Sequence, residues 1–342
     1  MRKVLTCEYP PITSYPLIAN MLSVLWAYKK DTINWISDRF IQLVGHKQKI
    51  TGQSGIGTFY EYETSYNRPM FLSCPYLYVS RIDRTILNHC KFSFLTFVKY
   101  CIDHGSFLHA CLDQYYFSNT STYKRYHFTH PTFIYGYDDE SKELYVRDFF
   151  NMKYGDKIVY YNEINNSYFN VAKNEEEYLN YISVFNYRNV SYTVNLKKIQ
   201  KDYIDYLNSA DRYGIYENDY VYMHYDNIYG LCYYDFLISF LDDIKKIDIR
   251  AFHVLVDHKT LQGIRLKHLK DIGCLENVEM LLMQNDNLKR KILSVRNLVL
   301  KLLMTNEESI SNTCKSLLEI AKADDEKLVR KILENLEHCI DS

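Results

Sequence analysis

Proline disappears from this chain after Pro131, tryptophan occurs twice, and none of the nine cysteines stands in a C-x-x-C pair. The cysteines lie at 7, 74, 90, 101, 111, 232, 274, 314 and 339. That scatter argues against a zinc ribbon and against a disulfide scaffold, and it reads as reduced, mostly buried thiols. No stretch approaches the roughly 20 apolar residues of a membrane helix. The opening MRKVLTCEYPPITSYP is too polar and too interrupted by proline for a signal peptide. A cytoplasmic protein that does not enter a membrane is expected. A charge excess is missing as well: 41 basic residues face 42 acidic ones, for a net charge of -1. Phosphate binding usually leaves a basic footprint, so nucleic acid is not an expected partner.

What the chain does have is length, 342 residues, and 34 tyrosines. Clusters such as Tyr115, Tyr116, Tyr123 and Tyr126 suit the wall of a ligand groove. An AT-rich coding sequence explains the same abundance, because it raises Tyr, Asn, Ile and Lys together. Apolar residues at helical spacing predict helices over 16–29, opened by Pro16, and over 32–44. Residues 45–58 read as an exposed loop. Its Gly52, Gly55 and Gly57 lack the strand before and the Gly-Lys-Ser/Thr after that a phosphate loop needs. Residues 80–87 and 93–102 read as helices. Aromatic and β-branched runs at 107–117, 130–137, 143–149 and 157–161 read as strands, with 160–164 a connection. A further strand is expected at 190–195. Helices are expected at 196–210 and 233–246, with a histidine-bearing run at 252–258. Beyond Cys274 the pattern is helical at 278–283, 288–303 and 310–323. The expectation is an α+β fold, helices packed on an antiparallel sheet with a helical C-terminal region, divided at 1–170, 171–270 and 271–342.

Chemistry concentrates in HPTFIYGYDDESKELYVRDF. A histidine begins one strand, a tight turn reverses the chain, and the returning strand ends at Asp148. Antiparallel pairing then brings His130 and Asp148 to the same end of the hairpin, within hydrogen-bond reach. A carboxylate that holds an imidazole is the base half of a nucleophilic triad. The same two residues also suit a structural hydrogen bond. His127 with His130, and His253 with Asp257 and His258, are spaced like metal ligands. Neither set has evident third and fourth partners, so no metal is expected.

The hairpin resembles the histidine motif of the papain-like, peptidase C39-like proteins. The longer run DQYYFSNTSTYKRYHFTHPTFIYGYD is similar to the butirosin biosynthesis protein H N-terminal domain family, over residues 5–165 and more loosely to about 270. The resemblance implies a papain-like fold. It also implies transfer of an acyl group from a carrier-protein thioester, through an enzyme cysteine, to a small-molecule amine, in a peptide, polyketide or aminoglycoside biosynthetic cluster. The partner would be an acyl or peptidyl carrier protein or a synthetase. No cofactor is implied beyond the 4'-phosphopantetheine that such a partner carries. Matched residue by residue, His130 is the general base and Asp148 its orienting acid. Asp113, Tyr115 and Tyr15 fall beside the groove. The nucleophile departs from the pattern: where active members place cysteine, at the start of the first buried helix, this chain reads ITSYPLIANML. Ser14 replaces the thiol, or Cys7 is brought in across Pro10 and Pro11, or the site is silent and the chain is a binding or scaffold protein. A peptidase is the weaker alternative, since nothing like a transporter or propeptide accompanies the domain.

Overall fold

The computed structural model describes residues 1–48, 56–59, 74–90, 93–151, 153–171, 180–211 and 225–341. The chain begins β1 (Arg2–Val4), α1 (Pro16–Ala27), α2 (Lys29–Ser37), β2 (Leu43–Gln48), β3 (Ile56–Phe59), β4 (Leu77–Asp83), α3 (Arg84–His89) and α4 (Phe94–Asp103). It continues through β5 (Phe107–Asp113), β6 (Thr129–Asp138), β7 (Glu143–Phe150), β8 (Lys153–Tyr160), α5 (Tyr161–Phe169) and β9 (Tyr181–Tyr187). Then follow α6 (Leu196–Leu207), β10 (Tyr225–Tyr229), α7 (Tyr233–Phe240), α8 (Ile249–Asp271), α9 (Val278–Thr305) and α10 (Glu308–Asp341). This is a mixture of helix and antiparallel sheet with a helical C-terminal region, as the residue pattern predicts. No helix among the described residues is long and apolar enough to cross a membrane.

Two compact units divide the chain discontinuously. The first takes Met1–Thr32 and Arg68–Ser191, the second Ile33–Asn67 and Tyr192–Ser342. This partition runs through neither 170 nor 270.

In the first unit the strand order is β4-β9-β5-β6-β7-β8, with β1 paired to the far end of β6. Alternate residues of a strand face opposite sides. On one side Leu112, Ile134, Val146 and Val159 pack with Phe94 and Val98 of α4 and Ile164 and Tyr168 of α5. Each fully buried side chain of this kind contributes roughly 1.5–3 kcal/mol. On the other side Phe107, Phe133 and Phe185 form a triangular cluster, each pair of ring centroids 5.5–5.9 Å apart.

Helix α1 lies over this second side, and its direction matters for the site. Asn20 meets His109 in the middle of β5, whereas Tyr28, just past the helix, stacks on Tyr187 at 3.7 Å. Tyr187 lies beyond Phe185, the partner of Phe107 at the start of β5. The N-terminus of α1 therefore points toward the end of β5, where Leu112 pairs with His130.

In the second unit β2 pairs with β10 and β3, so part of the expected loop 45–58 is sheet. Its glycines serve packing. A Cβ on Gly57 would fall 1.9 Å from the Tyr233 hydroxyl, and one on Gly45 2.6 Å from the Phe236 ring. Gly52 and Gly55 lie outside the described residues.

Other expectations shift for physical reasons. The helix expected over 32–44 stops at Ser37, because 43–48 is claimed by strand pairing. Residues 80–83 are strand, paired with β9, and α3 starts only after Asp83, whose carboxylate caps Thr85 N at 2.7 Å. The connection expected at 160–164 opens α5 instead, with the Glu163 carboxylate accepting from Tyr160 N. No strand forms at 190–195; there Tyr192 OH and Asn195 N donate to Asp38 instead. The helices expected at 278–283 and 288–303 are one continuous helix, α9.

Candidate active site

His130 and Asp148 meet as the hairpin spacing requires. His130 Nδ1 donates to Asp148 Oδ1 at 2.5 Å, and the carboxylate is wholly buried while the imidazole keeps about 20% of its surface exposed. Every acceptor position of Asp148 is used. Phe149 N also donates to Oδ1 at 2.6 Å, and Thr132 Oγ1 and Gln114 Nε2 donate to Oδ2 at 2.9 and 3.2 Å. A buried carboxylate with this many donors is fixed in direction. It fixes the imidazole in turn, with the proton on Nδ1 and the lone pair of Nε2 turned away from the carboxylate.

The ring sits at the rim of the sheet. Phe128 stacks on it at 5.2 Å, and Phe149, from the side that α1 covers, meets it edge-on at 6.0 Å. Asp148 itself shares a side with Val146 and Leu144, toward the core built with α4 and α5.

Helix α1 is anchored by a buried polar chain. Tyr154 OH donates to Asn20 Oδ1 at 2.6 Å, and Asn20 Nδ2 donates to His109 Nδ1 at 3.0 Å. Burial, and then the nearby His130 and Arg81, push His109 down to about 3, so this imidazole stays neutral and accepts. Ser14 lies two residues before Pro16, in the bend that leads into α1, where Tyr15 is extended. Leu112 lies three residues past His109, about 10 Å along a strand. The chain therefore enters α1 from the end of the sheet at which Leu112 pairs with His130. Ser14 is 5% exposed, and Tyr15, the residue that precedes Pro16 at the N-terminus of α1, is 7% exposed.

Cys7 is elsewhere. Its surroundings are Arg147, Asp156 and Tyr135, and β1 enters along the opposite end of β6, with Leu5 N donating to Tyr135 O. Burial pushes the Cys7 thiol up to about 11, against the pull of Arg147, so it is protonated at neutral pH and a poor nucleophile. Arg147 is engaged by Asp156 at 2.6 Å and by the Glu8 carbonyl at 2.6 Å, which ties the Cys7 segment down. The route that brings Cys7 to His130 finds no support in this arrangement.

Asp113, expected beside a groove, is the carboxylate of a second histidine pair. His127 Nδ1 donates to its Oδ2 at 2.5 Å, and the N–H groups of Tyr115 and Phe128 donate to its Oδ1, each at 3.0 Å. Tyr115 stacks on the His127 ring at 4.3 Å. The two imidazoles thus turn to separate carboxylates and do not converge as metal ligands. Nor do the other histidines: His258 donates to the Ile41 carbonyl, and His253 lies 3.7 Å from Asp257. Among the described residues no group of three or more His, Cys, Asp and Glu side chains is placed to hold a metal ion. The Asp113 pair escaped the sequence reading because no tight turn joins residues 113 and 127, so spacing alone did not bring them together.

Asp113 closes the segment 114–128 from both ends. Replacing it with alanine leaves two backbone N–H groups and a largely exposed imidazole without their acceptor, at about 0.5–1.5 kcal/mol for each hydrogen bond lost. The expected outcome is faster amide exchange at Tyr115 and Phe128 and proteolytic nicking between them, with the His130–Asp148 hydrogen bond retained. Unchanged exchange at both amides would contradict this.

Compared with protein-family models and with curated proteins, the chain matches none.

Proposed function

We propose that this chain is a papain-like acyl-transferring protein of the butirosin biosynthesis protein H N-terminal domain type, acting as an accessory in peptide or polyketide natural-product assembly. In this reading His130, oriented by Asp148, is the general base. It takes a proton either from Ser14, which then carries the acyl group, or directly from the acceptor amine as that amine attacks a carrier-protein thioester. The single observation that supports it most is the His130–Asp148 hydrogen bond, with the carboxylate wholly buried and the imidazole at the sheet rim. The direction of α1, whose N-terminus points toward the sheet end that carries that imidazole, is the second support.

A silent binding or scaffold protein of the same kind is the competing reading. The observation in its favour is the position of Cys7, held protonated beside Arg147 and Asp156 rather than at the histidine. The two separate by experiment: the protein is incubated with an acyl-loaded carrier protein and a small amine, and protein and products are followed by mass. Amide product that depends on His130, with or without an adduct on Ser14, supports transfer. Stable carrier binding without product, equal in wild type and His130→Ala, supports the scaffold.

A further inference from the structure

Between Asp113 and Asp138 the chain carries no acidic residue, yet Lys124 and Arg125 stand there side by side. In a protein with a net charge of -1 this is a local departure. Both residues are exposed, and among the described residues neither pairs with a carboxylate. The Lys124 ammonium lies over the Tyr123 ring, 5.1 Å from its centroid.

The turn that carries them is held by a polar knot. The hydroxyls of the buried Thr120 and Thr122 donate to the Gln114 carbonyl at 3.2 and 2.9 Å. Lys124 N donates to Tyr115 O at 3.0 Å, and Arg125 N donates to Thr122 O at 2.9 Å. Lys124 takes a left-handed conformation there, φ +51°, which a residue with a Cβ rarely adopts.

The same knot reaches the candidate active site. Gln114, 1% exposed, donates from Nε2 to Asp148 Oδ2 at 3.2 Å and to Phe149 O at 3.0 Å. Its own N–H donates to Phe128 O at 2.9 Å, continuing the pairing of β5 with β6, and the Phe128 ring stacks on that of His130. Arg125 precedes His130 by five residues, so their Cα atoms lie at most about 18 Å apart. Between them in sequence, Tyr126 and Phe128 leave 56% and 39% of their surface exposed. A solvated turn accounts for an exposed lysine and arginine. It does not account for the lack of any acid over residues 114–137, nor for a buried knot that ties the turn to Asp148.

We propose that Lys124 and Arg125 bind the phosphate of the acyl donor's 4'-phosphopantetheine arm, with the thioester end of the arm at His130. This rests on the reading of the chain as an acyl-transfer protein and names the part of the donor that the protein holds. A phosphate oxygen pair suits the fork of an arginine beside the point charge of a lysine. The methyl and methylene groups of the arm suit the exposed rings of Tyr126 and Phe128. An extended pantetheine arm has a length of the same order as the span from the turn to His130.

The test measures binding of 4'-phosphopantetheine and of pantetheine, which lacks the phosphate, to the full chain by calorimetry. Neither probe is acylated, so binding is read apart from transfer. The phosphorylated probe is expected to bind about tenfold or more tighter, the effect of a hydrogen bond between charged groups. Lys124→Gln combined with Arg125→Gln is expected to erase that difference, to leave pantetheine binding unchanged and to keep the thermal midpoint. Inorganic phosphate is expected to compete with the phosphorylated probe alone. In acyl transfer from S-acetyl-4'-phosphopantetheine the double variant is expected to raise KM by the same factor and to keep kcat. Equal affinity of the wild type for the two probes, or an equal loss of both in a folded double variant, overturns the proposal. Phosphate-dependent binding without transfer keeps the site and removes the acyl-transfer reading. Transfer that is indifferent to the phosphate removes the site and keeps the reading.

Discussion

Replacing Asp325 with alanine is expected to destabilise the second unit by about 3–5 kcal/mol, the cost of removing one partner of a buried ion pair. Asp325 and Lys259 are both wholly buried, on α10 and α8, and Lys259 Nζ lies 2.5 and 2.6 Å from the two carboxylate oxygens. Tyr206 OH and Tyr234 OH donate to the same Oδ2 at 2.7 and 3.0 Å, so one carboxylate joins α6, α7, α8 and α10. Burial already pulls the Lys259 amine down, and Asp325 is the first influence that opposes it.

Without the carboxylate, Lys259 sheds its proton rather than carry an isolated charge. The sign follows: its folded pKa then lies further below the unfolded value, the unfolded chain binds more protons between the two, and stability of the variant rises as pH climbs from 7 toward 9. Urea unfolding at both pH values measures this. Lys259→Met combined with Asp325→Leu is expected to recover most of the loss, short of the cost of the two tyrosine hydroxyls left without an acceptor. A single-variant loss below about 1 kcal/mol, or no difference between the two pH values, would show that the pair does not brace these helices.

The sequence discloses the parts of this molecule whose geometry is local. The hairpin 130–148 is legible because a tight turn and period-two patterning fix both strands, and with them the meeting of His130 and Asp148. The C-terminal helices are legible because their apolar residues recur at three and four. Strand β4 is not: 80–87 carries apolar residues at helical spacing, and only pairing with β9, about 100 residues away, makes its first half a strand. Gly45 and Gly57 mimic loop composition, but they are there because the rings of Phe236 and Tyr233 come too close for a Cβ. The Asp113–His127 contact depends on where separate elements end, which spacing within one element does not encode. The same holds for Cys7, whose short distance in sequence from α1 says nothing of the turn of chain that carries it toward Arg147.

Asp148→Asn tests the proposed chemistry most sharply, because it changes the site by one heavy atom. Both oxygens of Asp148 accept from donors: His130 and Phe149 N on one, Thr132 and Gln114 on the other. An asparagine must turn its NH2 toward one of these sets. Facing Thr132 and Gln114, it meets an amide that donates and a hydroxyl already turned toward it. Facing His130, it obliges the imidazole to accept at Nδ1 and to carry its proton on Nε2, the atom required to take one. The second outcome gives the wrong tautomer for a base, and in a comparable triad such a change lowers turnover about 10⁴-fold. If His130 is the base, acyl transfer by Asp148→Asn is expected to fall by a factor of this order and His130→Ala by about 10² to 10⁴, while carrier binding is kept in both. Nitrogen NMR of the imidazole separates the alternatives independently of activity, since the proton moves from Nδ1 to Nε2 only in the second. Full transfer by an Asp148→Asn protein whose His130 has changed tautomer would remove His130 from the role of base.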